Sequence, residues 1–399
     1  MMRERPSGEA RHLRAVFLVP IPREPYRKAF VPGHGPDAGE LWRLLREQGI
    51  DVDVVDPNPW PLNPFAGRHP LYQSLDPCRA LKVLLRGRRY DLVITANEGA
   101  AIFLVLLRRL FRYRPPVLVW DISPATRWRL RRWLQDFVLP RVDGIIAIGS
   151  NQVPYIAERW GPQIPVSVVG HDIDTEFSQP QDVDTGDYVL SVGDDGGRDY
   201  RTLLQAIEGL AVDLIIKTRQ TLPVDQAKHH SVRLLPDRLD HIAFRTLYAM
   251  SRFVVLPLKP DALNASGVNA LLEAFAMGKA VIVSESAGIQ DFLIPDQNCI
   301  MVPAYNADAM RTAIERLLRE PETCERLGRN ARHYVEENCS LPVFARRLAG
   351  ALRDLMRGGG CPCWLRLYEW YHCDAMTHCV TPSPGFVEDR CHAVLRLPY

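Results

Sequence analysis

The stretch Asn264-Ala-Ser-Gly-Val-Asn-Ala-Leu-Leu-Glu273-Ala-Phe-Ala-Met-Gly278-Lys-Ala-Val-Ile-Val283 holds the residues best suited to chemistry. It reads as a small-residue loop, a helix and a buried strand. Ser266, Gly267 and Val268 stand where the helix begins. Unpaired backbone N–H groups and the positive end of the helix dipole meet there, which suits an anion such as a diphosphate. Glu273 follows within about two turns, near enough to the same end to accept hydrogen bonds from sugar hydroxyls. The plainer account of Glu273 is a solvated helix residue, but its neighbours Leu271, Leu272, Ala274 and Phe275 are apolar and argue against a wet face. A phosphate-binding loop beside a ribose-binding carboxylate is a nucleotide site in outline.

Other residues could complete such a site. In Leu190-Ser-Val-Gly193-Asp-Asp-Gly-Gly-Arg198-Asp-Tyr-Arg-Thr-Leu-Leu a glycine-rich turn follows a strand and ends on a cation. Arg198 offers a forked donor to phosphate, or is one surface arginine among many. Lys217 and Arg219 close a later strand, where they add charge near an anion or simply end the strand in solvent. Asp121 follows the apolar run Val117–Trp120 and is a candidate to orient an acceptor or act as a base; equally, it caps a helix opened by Ser123-Pro124. His34, in Pro32-Gly-His-Gly-Pro36, is a second catalytic candidate, with a turn histidine as its blander account. His171 is assigned to packing at the junction between two halves.

Strand–helix alternation must position these groups. Strands are predicted at Ala15–Val19, Val52–Val55, Asp91–Thr95, Val117–Trp120, Gly144–Ile148 and Val166–Val169, with helices at Ala38–Gln48, Ala100–Arg112, Arg127–Phe137 and Val153–Trp160. A second series runs Tyr188–Val192, Leu214–Lys217, Val232–Leu235, Phe253–Leu256, Ala280–Val283 and Cys299–Val302, with helices at Arg201–Glu208, His241–Met250, Asn269–Met277 and Ala307–Arg319. A dozen strands exceed one ordinary sheet. Two doubly wound, Rossmann-like α/β domains facing across a cleft follow, with the junction near Asp174–Asp184. The expected division is 1–176, 177–356 with its last helix free to pack back on the first domain, and a poorly ordered tail at 357–399.

Taken in order, these segments resemble the retaining, family-4-like (group 1) glycosyltransferases of the GT-B fold. The resemblance covers roughly residues 15–356 and rests on Ala265–Val283, on the glycine-rich turn, and on Gly170-His-Asp-Ile-Asp-Thr-Glu-Phe177 at the junction. The amphipathic helices of 303–356 also fit the family's ending. It implies donor binding mainly by the C-terminal half and acceptor binding by the N-terminal half. It implies that Glu273, as the second acid of a Glu-x7-Glu pattern, holds the nucleotide ribose. It implies that Arg198 falls near the base contacting the diphosphate, in the turn that begins at Gly193. It implies that Ser266, Gly267 and Val268 present backbone to the phosphates and sugar. No metal or other cofactor is implied, the nucleotide-diphosphate sugar being substrate. Three departures stand out: Ala265 replaces the first acid, Asp194 replaces an arginine after Gly193, and Trp120 replaces a histidine before Asp121. Transfer of a sugar to an unknown glycan, lipid-linked or small-molecule acceptor is the leading reading. An inactive GT-B homologue serving as a nucleotide-sugar-binding or scaffold protein is one alternative, and a nucleotide-sugar epimerase another. A dehydrogenase is disfavoured because no Gly-x-Gly-x-x-Gly follows the first strand.

Composition narrows the partners. Net charge is +2 over 399 residues, so nothing global attracts nucleic acid. The polar start and the lack of any apolar run longer than Ala100–Leu107 predict a cytoplasmic protein. The basic, aromatic segment Arg127–Phe137 is a candidate for peripheral membrane contact, although Trp128, Leu130, Leu134 and Phe137 would equally face a sheet in an ordinary interior helix. Cys361, Cys363, His372, Cys373, His378, Cys379, Cys391 and His392 crowd the tail. Their spacing matches no ordinary zinc module, so the tail is read as an extension and no metal is expected.

Overall fold

Apolar runs too short to stand alone pair edge to edge into two parallel six-stranded sheets in the computed structural model. It describes residues 12–357, apart from 24–29, 38, 69, 87–88, 123–128, 225–230 and 261–263. The first sheet comprises β1 (Leu13–Leu18), β2 (Ile50–Val55), β3 (Leu92–Thr95), β4 (Val117–Trp120), β5 (Gly144–Ala147) and β6 (Val166–Val168), in the order β2-β1-β3-β4-β5-β6. The second comprises β7 (Tyr188–Val192), β8 (Asp213–Lys217), β9 (Val232–Leu235), β10 (Val254–Leu256), β11 (Val281–Ser284) and β12 (Ile300–Val302), in the order β12-β11-β10-β7-β8-β9. Strands such as β3, β5 and β11 are buried throughout because helices cover both faces, which is why they read as unbroken apolar runs.

Each sheet reverses its winding at one place, between β1 and β3 in the first and between β7 and β10 in the second. Loops diverge beyond the strand ends at such a switch point and leave a crevice. The loop after β1 carries His34, and the loop after β4, next to β3, carries Asp121. The loop after β7 carries Gly193 to Arg198, and that after β10 carries Ser266 and Gly267.

The helices follow local signals. They are α1 (Glu40–Glu47), α2 (Pro70–Gln73), α3 (Pro77–Leu85), α4 (Glu98–Leu107), α5 (Arg129–Val138), α6 (Gln152–Trp160), α7 (Tyr200–Ile207), α8 (His241–Ala249), α9 (Val268–Ala276), α10 (Ala307–Arg319), α11 (Pro321–Asn338) and α12 (Leu341–Met356). The expected helix at Ala100–Arg112 begins earlier, because the Asn97 side chain caps it by accepting from the Ala100 N–H at 3.0 Å. It stops at Leu107, and the chain leaves through a turn with Arg112 in the left-handed region at φ 48°. α3 was not anticipated, although Asp76 caps it from Arg79 N–H at 2.9 Å and Pro77 opens it.

The two halves are joined by more than the linker. α12 returns to the first sheet, where Phe344, Leu348 and Leu352 share a core with Ala15, Phe17, Leu92 and Ile94. Arg347 donates from Nη1 to Val169 O at 2.9 Å, and Arg332 ties the linker carbonyls of Ser178 (2.8 Å) and Thr175 (3.1 Å) to Ala276 O at 2.7 Å. Ser150, beyond β5, donates its N–H and its hydroxyl to Asp291 of the second half, both at 2.6 Å. Among the described residues no helix is long and apolar enough to cross a membrane.

Leu348 is fully buried in this returning contact. Leu348→Ala is expected to cost about 2–5 kcal/mol, the range for a cavity at a buried leucine, read as a lowered midpoint in denaturant unfolding followed by circular dichroism.

Candidate functional site

The switch point of the second sheet gathers most of the predicted residues. After β7 the chain turns at Gly193, with φ 152°, and its N–H donates to Lys217 O at 3.1 Å. Asp194, Asp195, Gly196 and Gly197 lead to Arg198, and the Asp199 side chain then caps α7. After β10 a second loop brings Ser266 alongside, its Oγ hydrogen-bonded to the Asp195 carboxylate. Gly267 adopts φ 92°, and no side chain caps the start of α9. The Val268 N–H donates to Ala265 O at 3.1 Å, and the rest of the first turn of α9 presents its N–H groups and the positive dipole end with no side-chain cap.

Arg198 lies between the two loops. A Cβ on Gly193 would sit 1.7 Å from its Nε, and a Cβ on Gly267 would sit 2.6 Å from its Nη1. Glycine is needed at both positions, for conformation and for this close approach. The Arg198 side chain is only 4% exposed. Among the described residues its Nε and Nη1 have no hydrogen-bond acceptor, and Asp195 Oδ2 stands beyond hydrogen-bond reach at 3.6 Å. Buried guanidinium donors rarely stay unpaired, so this group is short of anionic oxygens.

Glu273 lies on α9 within electrostatic reach of Arg198 and accepts the hydroxyl of Tyr248, on α8, at 2.9 Å. Burial pushes its pKa up to about 7, against the opposing pull of the Tyr248 hydrogen bond and the Arg198 charge. Burial also holds the Tyr248 phenol well above its ordinary range, so it remains a donor.

Lys217 and Arg219 part company. Lys217, at the end of β8, is 8% exposed and makes no side-chain hydrogen bond or ion pair among the described residues. Arg219 is 71% exposed and bound by Asp194 through Nε and its own N–H, each at 2.7 Å. The aspartate that replaces the expected arginine thus engages a cation of its own. Lys259 was not anticipated; its Nζ donates to Gly196 O at 2.8 Å and braces the turn.

The first sheet contributes a separate cluster. Asp121 has φ 59° and its N–H donates to Ile146 O at 3.0 Å. Burial raises its carboxyl pKa, opposed by the nearby His171 charge and a hydrogen bond from Gln152. Arg131 and Glu98 lie close by, paired at 2.6 Å, with Glu98 fully buried. Residues 123–128, and with them the helix-cap reading of Asp121, lie outside the described residues, as does the cysteine-rich tail. His34 is exposed in a turn, its Nδ1 3.3 Å from Pro32 O. The adjacent Gly35 abuts His241 at the start of α8, the helix that carries Tyr248. In α5, Leu134 is buried, whereas Leu130 and Trp133 are more than half exposed. The expectation that Leu130 faces the sheet fails because Arg131 takes the inward position to reach Glu98.

Residues 38–177 match the family described as Glycosyltransferase Family 4, and residues 234–334 match Glycosyl transferases group 1. The second match contains the Gly267 loop and Glu273. Over 117 residues the chain is 26% identical to an alpha-D-kanosaminyltransferase of Streptomyces kanamyceticus, and that match spans 29% of each protein's length. Among solved structures, a sucrose-phosphate synthase from Thermosynechococcus elongatus superposes with a TM-score of 0.65 at 18% identity, covering 86% of this chain and 99% of the other. The Anabaena protein HepE, solved in complex with UDP-glucose, gives 0.59 at 16% identity, covering 86% and 100%. These likenesses show two facing Rossmann-like domains of the GT-B type. The chain belongs to the group 1, family-4-like glycosyltransferases of the GT-B fold.

Proposed function

We propose that the protein transfers a sugar from a nucleotide-diphosphate sugar to an acceptor, with retention of configuration and in the cytoplasm. The observation that carries this reading is the buried guanidinium of Arg198, held between Gly193 and Gly267 with two unpaired donors. A diphosphate resting on the start of α9 would supply the missing acceptors. Lys217, buried at the neighbouring strand end and without a side-chain hydrogen bond or ion pair among the described residues, adds charge of the same sign. The UDP-glucose held by the similar HepE structure supports a nucleotide-sugar donor.

Breaking the glycosidic bond leaves charge on the diphosphate. The α9 start, Arg198 and Lys217 are fixed before that charge develops, so they stabilise the transition state without reorganising. The reading calls on no metal ion. Retention follows from same-face attack by the acceptor hydroxyl, its proton passing to the departing phosphate oxygen, so no protein nucleophile is required. Glu273 accepts hydrogen bonds from the ribose hydroxyls while Tyr248 holds its carboxylate in place. Asp121 and His171 lie beyond the first sheet, where they orient the acceptor; His34 lines the approach from the loop after β1.

Arg198→Ala is expected to abolish nucleotide-sugar binding in isothermal titration, whereas Arg219→Ala, which removes an exposed and already paired cation, leaves affinity within about twofold. Equal loss in both variants, or loss in neither, would remove Arg198 from the donor site. Glu273→Gln should weaken binding by about 1–3 kcal/mol. The pH dependence has a definite sign. The Glu273 pKa is raised to about 7, so the group is largely protonated below that pH and ionised above it. Ribose hydroxyls donate to the ionised form, so affinity for a nucleotide sugar, whose diphosphate diester keeps constant charge here, should tighten as pH rises through about 7. A flat profile in Glu273→Gln against a sloping one in the wild type is the measurement that checks it.

A further inference from the structure

The crevice loops occupy one end of the first sheet. The other end, where β3 and β4 begin, carries an open groove of about 940 Å³. Leu84 and Leu85 at the end of α3, with Phe111 in the turn after α4, form its apolar wall. Leu85 is 68% exposed and Leu110, beside Phe111, is 77% exposed. Tyr113 also lines the groove, buried, with a hydroxyl that finds no hydrogen-bond partner. α3 packs against α4, and Leu110 lies in the turn after α4, next in sequence to Phe111 of the groove wall.

The charged residues lining this groove are arginines, one of which, Arg89, also borders the neighbouring cleft that holds Asp51 and Asp53. Arg86, Arg89, Arg112 and Arg114 line the groove, and none of the four makes an ion pair or a side-chain hydrogen bond among the described residues. Elsewhere in the same half Arg43, Arg46, Arg108, Arg131 and Arg159 are all paired with carboxylates. Four unpaired guanidinium groups around protruding leucines complement a surface that is apolar within and anionic outside, as at the boundary between acyl chains and phosphodiester headgroups. Nucleic acid would satisfy the arginines and leave the leucines in water.

We propose that this groove docks the protein on an anionic phospholipid bilayer, with Leu85 and Leu110 entering the acyl boundary and the four arginines meeting lipid phosphates. The inference stands apart from the donor assignment, because the groove lies at the opposite end of β3 and β4 from Asp121. Docking here tethers the protein and leaves its crevice open to the aqueous side.

The test is sedimentation of the full chain with sucrose-loaded vesicles, of phosphatidylcholine alone or with one-third phosphatidylglycerol. Binding is expected only to the anionic vesicles, and it should fall with added salt. Leu85→Ser/Leu110→Ser and Arg86→Gln/Arg112→Gln should each lower partitioning, the arginine pair by about 20–30-fold at roughly fivefold per charge. Both should keep the wild-type melting temperature and nucleotide-sugar affinity. Leu130→Ser/Trp133→Ser, on the exposed face of α5, should bind vesicles as the wild type does. The proposal is overturned if the wild type stays in the supernatant, if the groove variants sediment unchanged, or if only the α5 variant loses binding. Association of the wild type with itself or with RNA, abolished by the groove substitutions in the absence of vesicle binding, would overturn it equally.

Discussion

Parallel strand pairing is the constraint on which the rest of this molecule depends. Every β-strand of a parallel sheet is entered from the same end, so all loops leaving the strands crowd at the other. Where the winding reverses, two neighbouring loops diverge and cannot fill the space between them. In the second sheet those loops follow β7 and β10, and they are the glycine-rich turn and the Gly267 loop. Residues about seventy positions apart, Asp195 and Ser266, meet for that reason and no other.

Given that meeting, Arg198 sets the terms. Its guanidinium fills the gap between the loops so closely that neither Gly193 nor Gly267 can carry a side chain. Burying unsatisfied donors costs stability. The surrounding packing, with Tyr200 donating its hydroxyl to Gly193 O at 2.7 Å and Lys259 bracing Gly196, holds the strained turn in place. A site assembled before its ligand arrives loses little on binding, and this is the same preorganisation that lowers a charged transition state. The raised pKa of Glu273 also comes from burial, which disfavours the ionised carboxylate.

Much of this was legible in the residues. The twelve strands were: those buried on both faces, such as β3, β5 and β11, read as plain apolar runs, and the half-exposed β2 still alternates aspartate with Val and Ile. The helix after Gly267 was, because small residues precede a long apolar stripe. Partner identities were not. Nothing local marks Tyr248 as the donor to Glu273, since an aromatic in an apolar helix ordinarily signals core. Lys217 and Arg219 sit two residues apart, a spacing that shares one face on a strand, yet Lys217 is buried with no side-chain partner among the described residues, and Arg219, beyond the end of β8, is exposed and paired; that split and the role of Asp194 needed the fold. Arg131 reads as one solvated arginine in a basic helix until the buried Glu98 is found beneath it. α3 was not among the expected helices, although its Asp76-Pro77 opening is an ordinary helix-start signal.

The return of α12 has a consequence for how the chain is made. The face of the first sheet that bears Ala15, Phe17, Leu92 and Ile94 is covered by Phe344, Leu348 and Leu352. Its own strands are complete at Val168, but the cover begins only at Leu341. During synthesis, then, the amino-terminal half emerges from the ribosome with that oily side covered only in part, by Leu44 and Leu45 of α1, until residues 341–356 are translated. Nascent chains stalled before α12 should therefore be prone to clump through that side.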